Sequence, residues 1–123
     1  MPNFQPAQQV YRDASGLAVP AAFAQPTQVI TGDGAITINS GVVILSKGSA
    51  AAITIAVPDQ DGQTITVITS TAQAHVITQG TVGFNAKGSS GTCTFTAAIG
   101  NAVTLVSSGG QWYTAVKTGV TPA

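Results

Sequence analysis

The sequence has very little charge. Of its 123 residues, four are Lys or Arg and four are Asp or Glu, so charged residues make up 7 % and the formal net charge is zero. An ordinary globular domain has about 25 % charged residues. The basic residues are scattered and form no stripe that could neutralise the phosphates of a nucleic acid. We therefore expect no nucleic-acid partner, and a net charge near zero favours association with other protein chains.

The sequence also has only one cysteine and no long apolar run, and both features limit the classes of protein to which it can belong. The single cysteine, Cys93, excludes an intrachain disulfide. It alternates in phase with Phe95, which predicts a small buried side chain there. No run approaches the roughly 20 apolar residues of a membrane helix. The short apolar run ending at Ala24 contains Pro20 and follows no basic amino-terminal region, so we expect neither a signal peptide nor a membrane partner.

The clearest pattern lies in residues 91–120. Three runs, beginning near Thr92, Ala102 and Gln111, alternate apolar and polar side chains with the period of a β-strand. Gly109-Gly110 separates the second run from the third and predicts a hairpin turn. We expect the core to include Trp112 or Phe95, together with Ile53, Ile65, Val67, Val103 and Leu105.

Residues 29–123 predict an all-β body. Short alternating runs separated by Gly, Asn and Asp turns recur at about ten-residue spacing, which favours a small antiparallel β-barrel or sandwich of about eight to ten short strands. The continuous apolar run at residues 42–45 is typical of a strand buried on both faces. Ile-Thr phrases recur at Ile36, Ile53 and Ile65, but their spacing is unequal, so we interpret them as shared strand composition and not as a solenoid repeat.

Residues 1–28 predict an extended amino-terminal arm. Four prolines disfavour a helix, and the apolar side chains keep neither a helical nor a strand period. The alternative is a disordered tail, but such side chains favour an arm that lies on a partner or on a neighbouring copy. The candidate partner-binding residues are Phe4, Val10, Tyr11, Leu17, Val19 and Phe23.

Candidate catalytic residues are few. His75 is the only histidine, and no Gly-x-Ser-x-Gly motif accompanies it. A strand-like setting favours a packed or edge histidine. Asp59 and Asp61 lie in a loop too short for a dedicated calcium site, and one His with one Cys does not make an ordinary zinc site. We expect no enzyme activity, no cofactor and no resident metal.

Several segments resemble a known group of proteins. These are residues 61–78 (DGQTITVITSTAQAHVIT), residues 97–106 (AAIGNAVTLV), the GGQWY at residues 109–113 and the GVT at residues 119–121. They resemble small trimeric β-rich virion proteins of tailed phages, of the capsid decoration (cement) or head-fibre type. The resemblance covers roughly residues 34–121 and does not include the arm.

The resemblance implies a function. It suggests a phage capsid decoration protein, a homotrimer that binds the outer capsid surface and stabilises the head by bridging subunits of the major capsid protein. Such a protein would be assembled in the host cytoplasm and located in the virion. The alternative is a head-fibre or tail-fibre domain that binds a host surface glycan, for which Tyr113 and His75 are the candidate contacts.

Overall fold

A computed structural model describes residues 24–123. The candidate arm residues Phe4, Val10, Tyr11, Leu17, Val19 and Phe23 lie outside the described residues. The described part forms ten strands: β1 (Thr27–Ile30), β2 (Gly34–Ile36), β3 (Gly41–Leu45), β4 (Ala52–Ile55), β5 (Thr64–Thr69), β6 (Val76–Gln79), β7 (Gly91–Phe95), β8 (Ala102–Ser108), β9 (Gln111–Thr118) and β10 (Val120–Pro122).

The strands form two five-stranded sheets. Sheet 1 has the order β1-β3-β5-β8-β9, and sheet 2 has the order β10-β7-β6-β4-β2. The prediction of an all-β body is confirmed, because residues 24–123 contain no helix. It follows that no helix in this part of the chain is long and apolar enough to cross a membrane.

The prediction of an antiparallel fold is only partly correct. Four strand pairs are antiparallel, but β1 with β3, β3 with β5, β2 with β4, and β4 with β6 are parallel. Both sheets are therefore mixed, and each ends in two edge strands, so they do not form a closed barrel.

The parallel pairs arise from the way the first six strands wind. Consecutive strands alternate between the two sheets, and each of the first four pairs with the strand two positions later, as in a short solenoid. Val42 pairs with Thr27, 15 residues earlier, and with Thr66, 24 residues later. The Ile-Thr phrases do not mark this winding, because Ile36 and Ile53 lie in β2 and β4 of sheet 2 whereas Ile65 lies in β5 of sheet 1. The turns between these strands differ in length, so the winding has no fixed sequence period by which it could be recognised.

Both sheets contribute to one buried core. Alternate residues of each strand point inward, because a β-strand places successive side chains on opposite faces. Phe95 and Leu105 are fully buried, and Trp112 is 2 % exposed while its Nε1 donates a hydrogen bond to the Ala56 carbonyl oxygen at 2.8 Å. The other residues predicted for the core are also buried, namely Ile53, Ile65, Val67 and Val103.

The predicted β8–β9 hairpin is confirmed. Ser108 pairs with Gln111 across a two-residue turn in which Gly109 and Gly110 have φ angles of 59° and 76°. Positive φ at both positions is the requirement that glycine meets at little cost. The Asp61 carboxylate accepts a hydrogen bond from the Gly109 backbone at 2.8 Å, which fixes this turn against the β4–β5 loop.

The first strand begins slightly before the expected start of the body. Thr27 and Gln28 belong to β1. Just before it, the Pro26 carbonyl oxygen accepts a hydrogen bond from the Val42 backbone at 2.9 Å. A Cβ on Gly41 would overlap this oxygen, so glycine is required where the chain passes.

Candidate functional site

The outer face of sheet 1 is the candidate interaction surface. Strand register aligns its outward side chains in rows, because residues paired across neighbouring strands share a face. One row contains Val29, Ile44, Ile68, Ala102 and Thr118, the next contains Thr27, Val42, Thr66, Thr104 and Val116, and the last contains Thr64, Val106 and Tyr113.

This outer face combines large apolar side chains with threonines and carries no charge. Val29 is 58 % exposed, Val116 is 64 % exposed and Tyr113 is 38 % exposed. Val42 and Ile44 are partly exposed. Isolated exposed apolar residues are common on protein surfaces, whereas a contiguous patch of them marks an interaction site.

The prediction that residues 42–45 are buried on both faces is wrong for the single chain. Val43 and Leu45 are fully buried in the core, but Val42 and Ile44 point to the outer face. No part of residues 24–123 covers the outer face at Val42 and Ile44. The sequence therefore has the composition of a strand covered on both sides, while one chain covers only one side.

A β-bulge brings Val116 onto this surface. Simple alternation along β9 would put Val116 on the same face as the buried Trp112. The register shifts between Thr104 and Leu105, and Val116 lies opposite Thr104. An extra residue in one strand reverses the facing of the residues that follow it. The bulge thus extends the apolar surface to the edge of the sheet.

The outer face of sheet 1 has a limited area. Five strands about 4.8 Å apart and rows about 7 Å apart give a planar area of roughly 400 Å². A standard interface buries about 800 Å² of each partner, so this face would supply about half of one.

The outer face of sheet 2 is different. Its outward positions are mostly threonine and alanine, and its largest apolar side chain, Val76, is partly buried. The outward residues of its central strands include Thr54, Thr78, Thr92 and Thr94. The asymmetry between the two sheets singles out sheet 1.

The charged groups of the described chain lie away from this surface, at turns and at the sheet edge. Asp33 and Lys47 form an ion pair at 2.8 Å between successive turns, and the Asp33 carboxylate also accepts a hydrogen bond from the Ala52 backbone at 2.9 Å. The Lys47 hydrogen bond, followed by that of Ala52, lowers the pKa of Asp33. Lys117 is paired with the inward-facing Val103, and not with a residue of the outer face.

The free edge of β9 is partly covered. The Asn85 backbone donates a hydrogen bond to the Trp112 carbonyl oxygen at 2.8 Å, and the Asn85 side-chain oxygen accepts one from the Thr114 backbone at 2.9 Å. Asn85 adopts a φ of 58°, which asparagine tolerates better than most residues. These bonds occupy backbone groups that an added strand would need. The broad face, and not this part of the edge, is the accessible surface.

His75 is a packed histidine, as its strand-like setting predicted. Its side chain is fully buried. Nδ1 accepts a hydrogen bond from the Ala51 backbone at 3.0 Å, so the ring proton lies on Nε2, which donates to the Thr71 hydroxyl at 2.9 Å. That hydroxyl donates to the Lys47 carbonyl oxygen at 2.7 Å. His75 therefore joins the β3–β4 connection to the β5–β6 connection and cannot contact a ligand from solvent.

His75 should make stability depend on pH. Burial, and secondarily the charge of Lys47, lowers its pKa from the ordinary value of 6.5. The unfolded chain then binds the proton more readily than the folded chain. The contribution of neutral His75 to stability should be complete above pH 6.5. The free energy of unfolding should fall as the pH drops below 6.5 toward the folded-state pKa. Urea unfolding at about pH 8 and about pH 5 measures this change.

The control for this prediction is His75→Gln. Because His75 is the only histidine, the variant should lose most of the pH dependence in that window. Equal dependence in the two proteins would show that another group is responsible.

Cys93 has the buried setting predicted for it. It is fully buried, and burial raises the pKa of its thiol to about 12. A thiol with so high a pKa is almost entirely protonated at neutral pH and is a poor nucleophile.

The aspartates of the β4–β5 loop have structural partners. The Asp59 carboxylate accepts a hydrogen bond from Gln63 at 2.6 Å, and Asp61 holds the β8–β9 turn. Within residues 24–123, no three His, Cys, Asp or Glu side chains cluster in a way that could hold a metal ion.

Comparison of the sequence with protein-family models and with curated proteins gives no match.

Proposed function

We propose that this chain is a capsid decoration (cement) protein of a tailed phage, located on the outer capsid surface of the virion. It would bind the major capsid protein and stabilise the head by bridging capsid subunits. The observation that carries the proposal is the uncharged apolar outer face of sheet 1, which suits a protein whose role is to bind other proteins. The resemblance of residues 34–121 to phage virion proteins supplies the setting.

Self-association is the first part of the proposed mechanism. Three copies would associate through the outer face of sheet 1, covering Val29, Ile44 and Val116. The exposure of these side chains supports this, because an assembly of three chains would bury the face that one chain leaves open. The face supplies only about half of a standard interface, so a second contact is needed for a stable assembly.

The arm is the second part of the mechanism. Its apolar residues Phe4, Tyr11 and Leu17 would occupy pockets on capsid subunits or on a neighbouring copy. Prolines reduce the conformational freedom that an extended segment loses when it docks. Body and arm binding together would raise the overall affinity above that of either contact alone.

Deleting residues 1–25 tests the proposal. The truncated chain keeps Pro26 and the described body, so it should fold and yet fail to bind particles that lack this protein. Occupancy is measured by sedimenting the particles with bound protein. A chain in which residues 1–25 are replaced by a Gly-Ser segment of equal length is the control, because it separates the loss of apolar side chains from the loss of length.

Undiminished occupancy by the truncated chain would contradict the role of the arm and would indicate attachment through the body. The glycan-binding alternative places its ligand site on the body, so it predicts that the truncated chain still binds the glycan. Since His75 is fully buried, that alternative depends on Tyr113 alone among the two candidate contacts.

A further inference from the structure

A cleft of about 360 Å³ opens at one end of the body, between the two sheets. It lies where β2 and β4 end and where β5 and β9 begin. Its walls combine apolar side chains with the polar residues Thr37, Asn39, Asp59 and Gln63. Sheet 2 and the turns that follow its strands contribute Ile36, Ile38, Ile55 and Val57, and sheet 1 contributes Ile65 and Trp112.

The chemistry of the cleft favours an apolar occupant. The Asp59 carboxylate is paired with the Gln63 amide at 2.6 Å, and the Trp112 indole nitrogen is paired with the Ala56 carbonyl oxygen at 2.8 Å. These polar groups therefore need no ligand. Val57, by contrast, is 42 % exposed at the cleft. The volume is at the lower end of the range for small-molecule sites, about 300–1,000 Å³, and is large enough to admit an aromatic side chain.

The described chain begins beside this cleft. The Gln28 side chain donates a hydrogen bond to the Ala35 carbonyl oxygen at 2.9 Å and accepts one from the Thr37 backbone at 2.8 Å. Thr37 itself lines the cleft. Pro26 is held against Val42 through its carbonyl oxygen. The residues immediately before Pro26 are therefore tethered close to the open end of the cleft.

We propose that Phe23 of the same chain occupies this cleft. Phe23 is three residues before Pro26, and an extended chain spans about 3.3–3.6 Å per residue, so its Cα lies within roughly 10 Å of that anchor. A phenylalanine buries a large apolar surface when it enters such a site. A tether of three residues gives a high effective concentration, which favours the same chain over a second copy.

The consequence is that Phe23 would become part of the body. This inference is independent of the proposed function, because it concerns the free chain.

A disulfide test in the full chain decides the proposal. The variant carries Phe23→Cys with Val57→Cys, a position whose exposure makes the substitution tolerable. Cys93 does not compete, because it is buried and its pKa is raised to about 12. Under mild oxidation we expect an intrachain disulfide, detected as the loss of two free thiols with an unchanged chain mass on a denaturing, non-reducing gel.

The matched control pairs Leu17→Cys with Val57→Cys. Leu17 comes from the same segment but has no assigned place in the cleft, so its disulfide should form several-fold more slowly. Equal rates for the two pairs, or no disulfide with Phe23→Cys, would overturn the proposal. A disulfide between two chains would also overturn it and would place the arm of a second copy in the cleft.

A second measurement needs no cysteine. Trp112 is the only tryptophan and lines the cleft, so its fluorescence reports on the occupant. Phe23→Ala should shift the Trp112 emission, whereas Leu17→Ala should leave it unchanged. An unchanged emission in Phe23→Ala would contradict the proposal.

Discussion

Phe95→Ala is expected to lower the free energy of unfolding by about 3–5 kcal/mol. Phe95 is fully buried on β7, between the neighbouring strands β6 and β10. Truncation removes its apolar contacts and leaves a cavity that the surrounding strands fill only in part. Small domains have a total stability of about 5–15 kcal/mol, so the loss should be evident in urea unfolding at a fixed protein concentration.

The control is the neighbouring substitution Thr94→Ala. Thr94 is exposed on the outer face of sheet 2, and its change should stay within about 0.5 kcal/mol. A loss below about 1 kcal/mol for Phe95→Ala would mean that this position is not part of the core.

Ile44→Lys is expected to dissociate the proposed trimer. Ile44 lies on the outer face of sheet 1, so the substitution leaves the core of the single chain intact. In the assembly, each copy would bury an ammonium group without a partner, at a cost of about 2–5 kcal/mol. By the relation of about 1.4 kcal/mol per tenfold change, the dissociation constant should rise by at least about 30-fold. The measurement is the molecular mass in solution as a function of concentration.

Thr54→Lys is the matched control for this substitution. It adds the same charge to an exposed position on the outer face of sheet 2. It should therefore leave the association unchanged. If both lysine variants dissociate equally, net charge and not the outer face of sheet 1 controls association.

The sequence was most informative where structure is local. The alternation around Val103 and Leu105 and the Gly109-Gly110 pair predicted two neighbouring strands and their turn, because both depend only on residues adjacent in the chain. The buried settings of Phe95 and Cys93 followed from the same period of two.

The parallel pairing could not be predicted in the same way. Period-two alternation identifies a strand but not its partner, and the partners of Val42 are Thr27 and Thr66. Those pairs are separated by turns of unequal length, so no repeat marks them. Successive strands that alternate between two sheets have the same local pattern as strands joined in an antiparallel hairpin.

The candidate interaction surface was present in the sequence in a form that is easy to misinterpret. The run at residues 42–45 indicates burial on both faces, and the structure shows that one chain covers only the side of Val43 and Leu45. The placement of Val116 could not be predicted, because it depends on a bulge near Thr104 that no pattern in the sequence indicates.

The most direct test of the central claim is the mass of the unmodified full chain by sedimentation equilibrium. If the outer face of sheet 1 is an interface between copies, the protein should sediment as a trimer at micromolar concentration. A stable monomer at the same concentration would contradict the account.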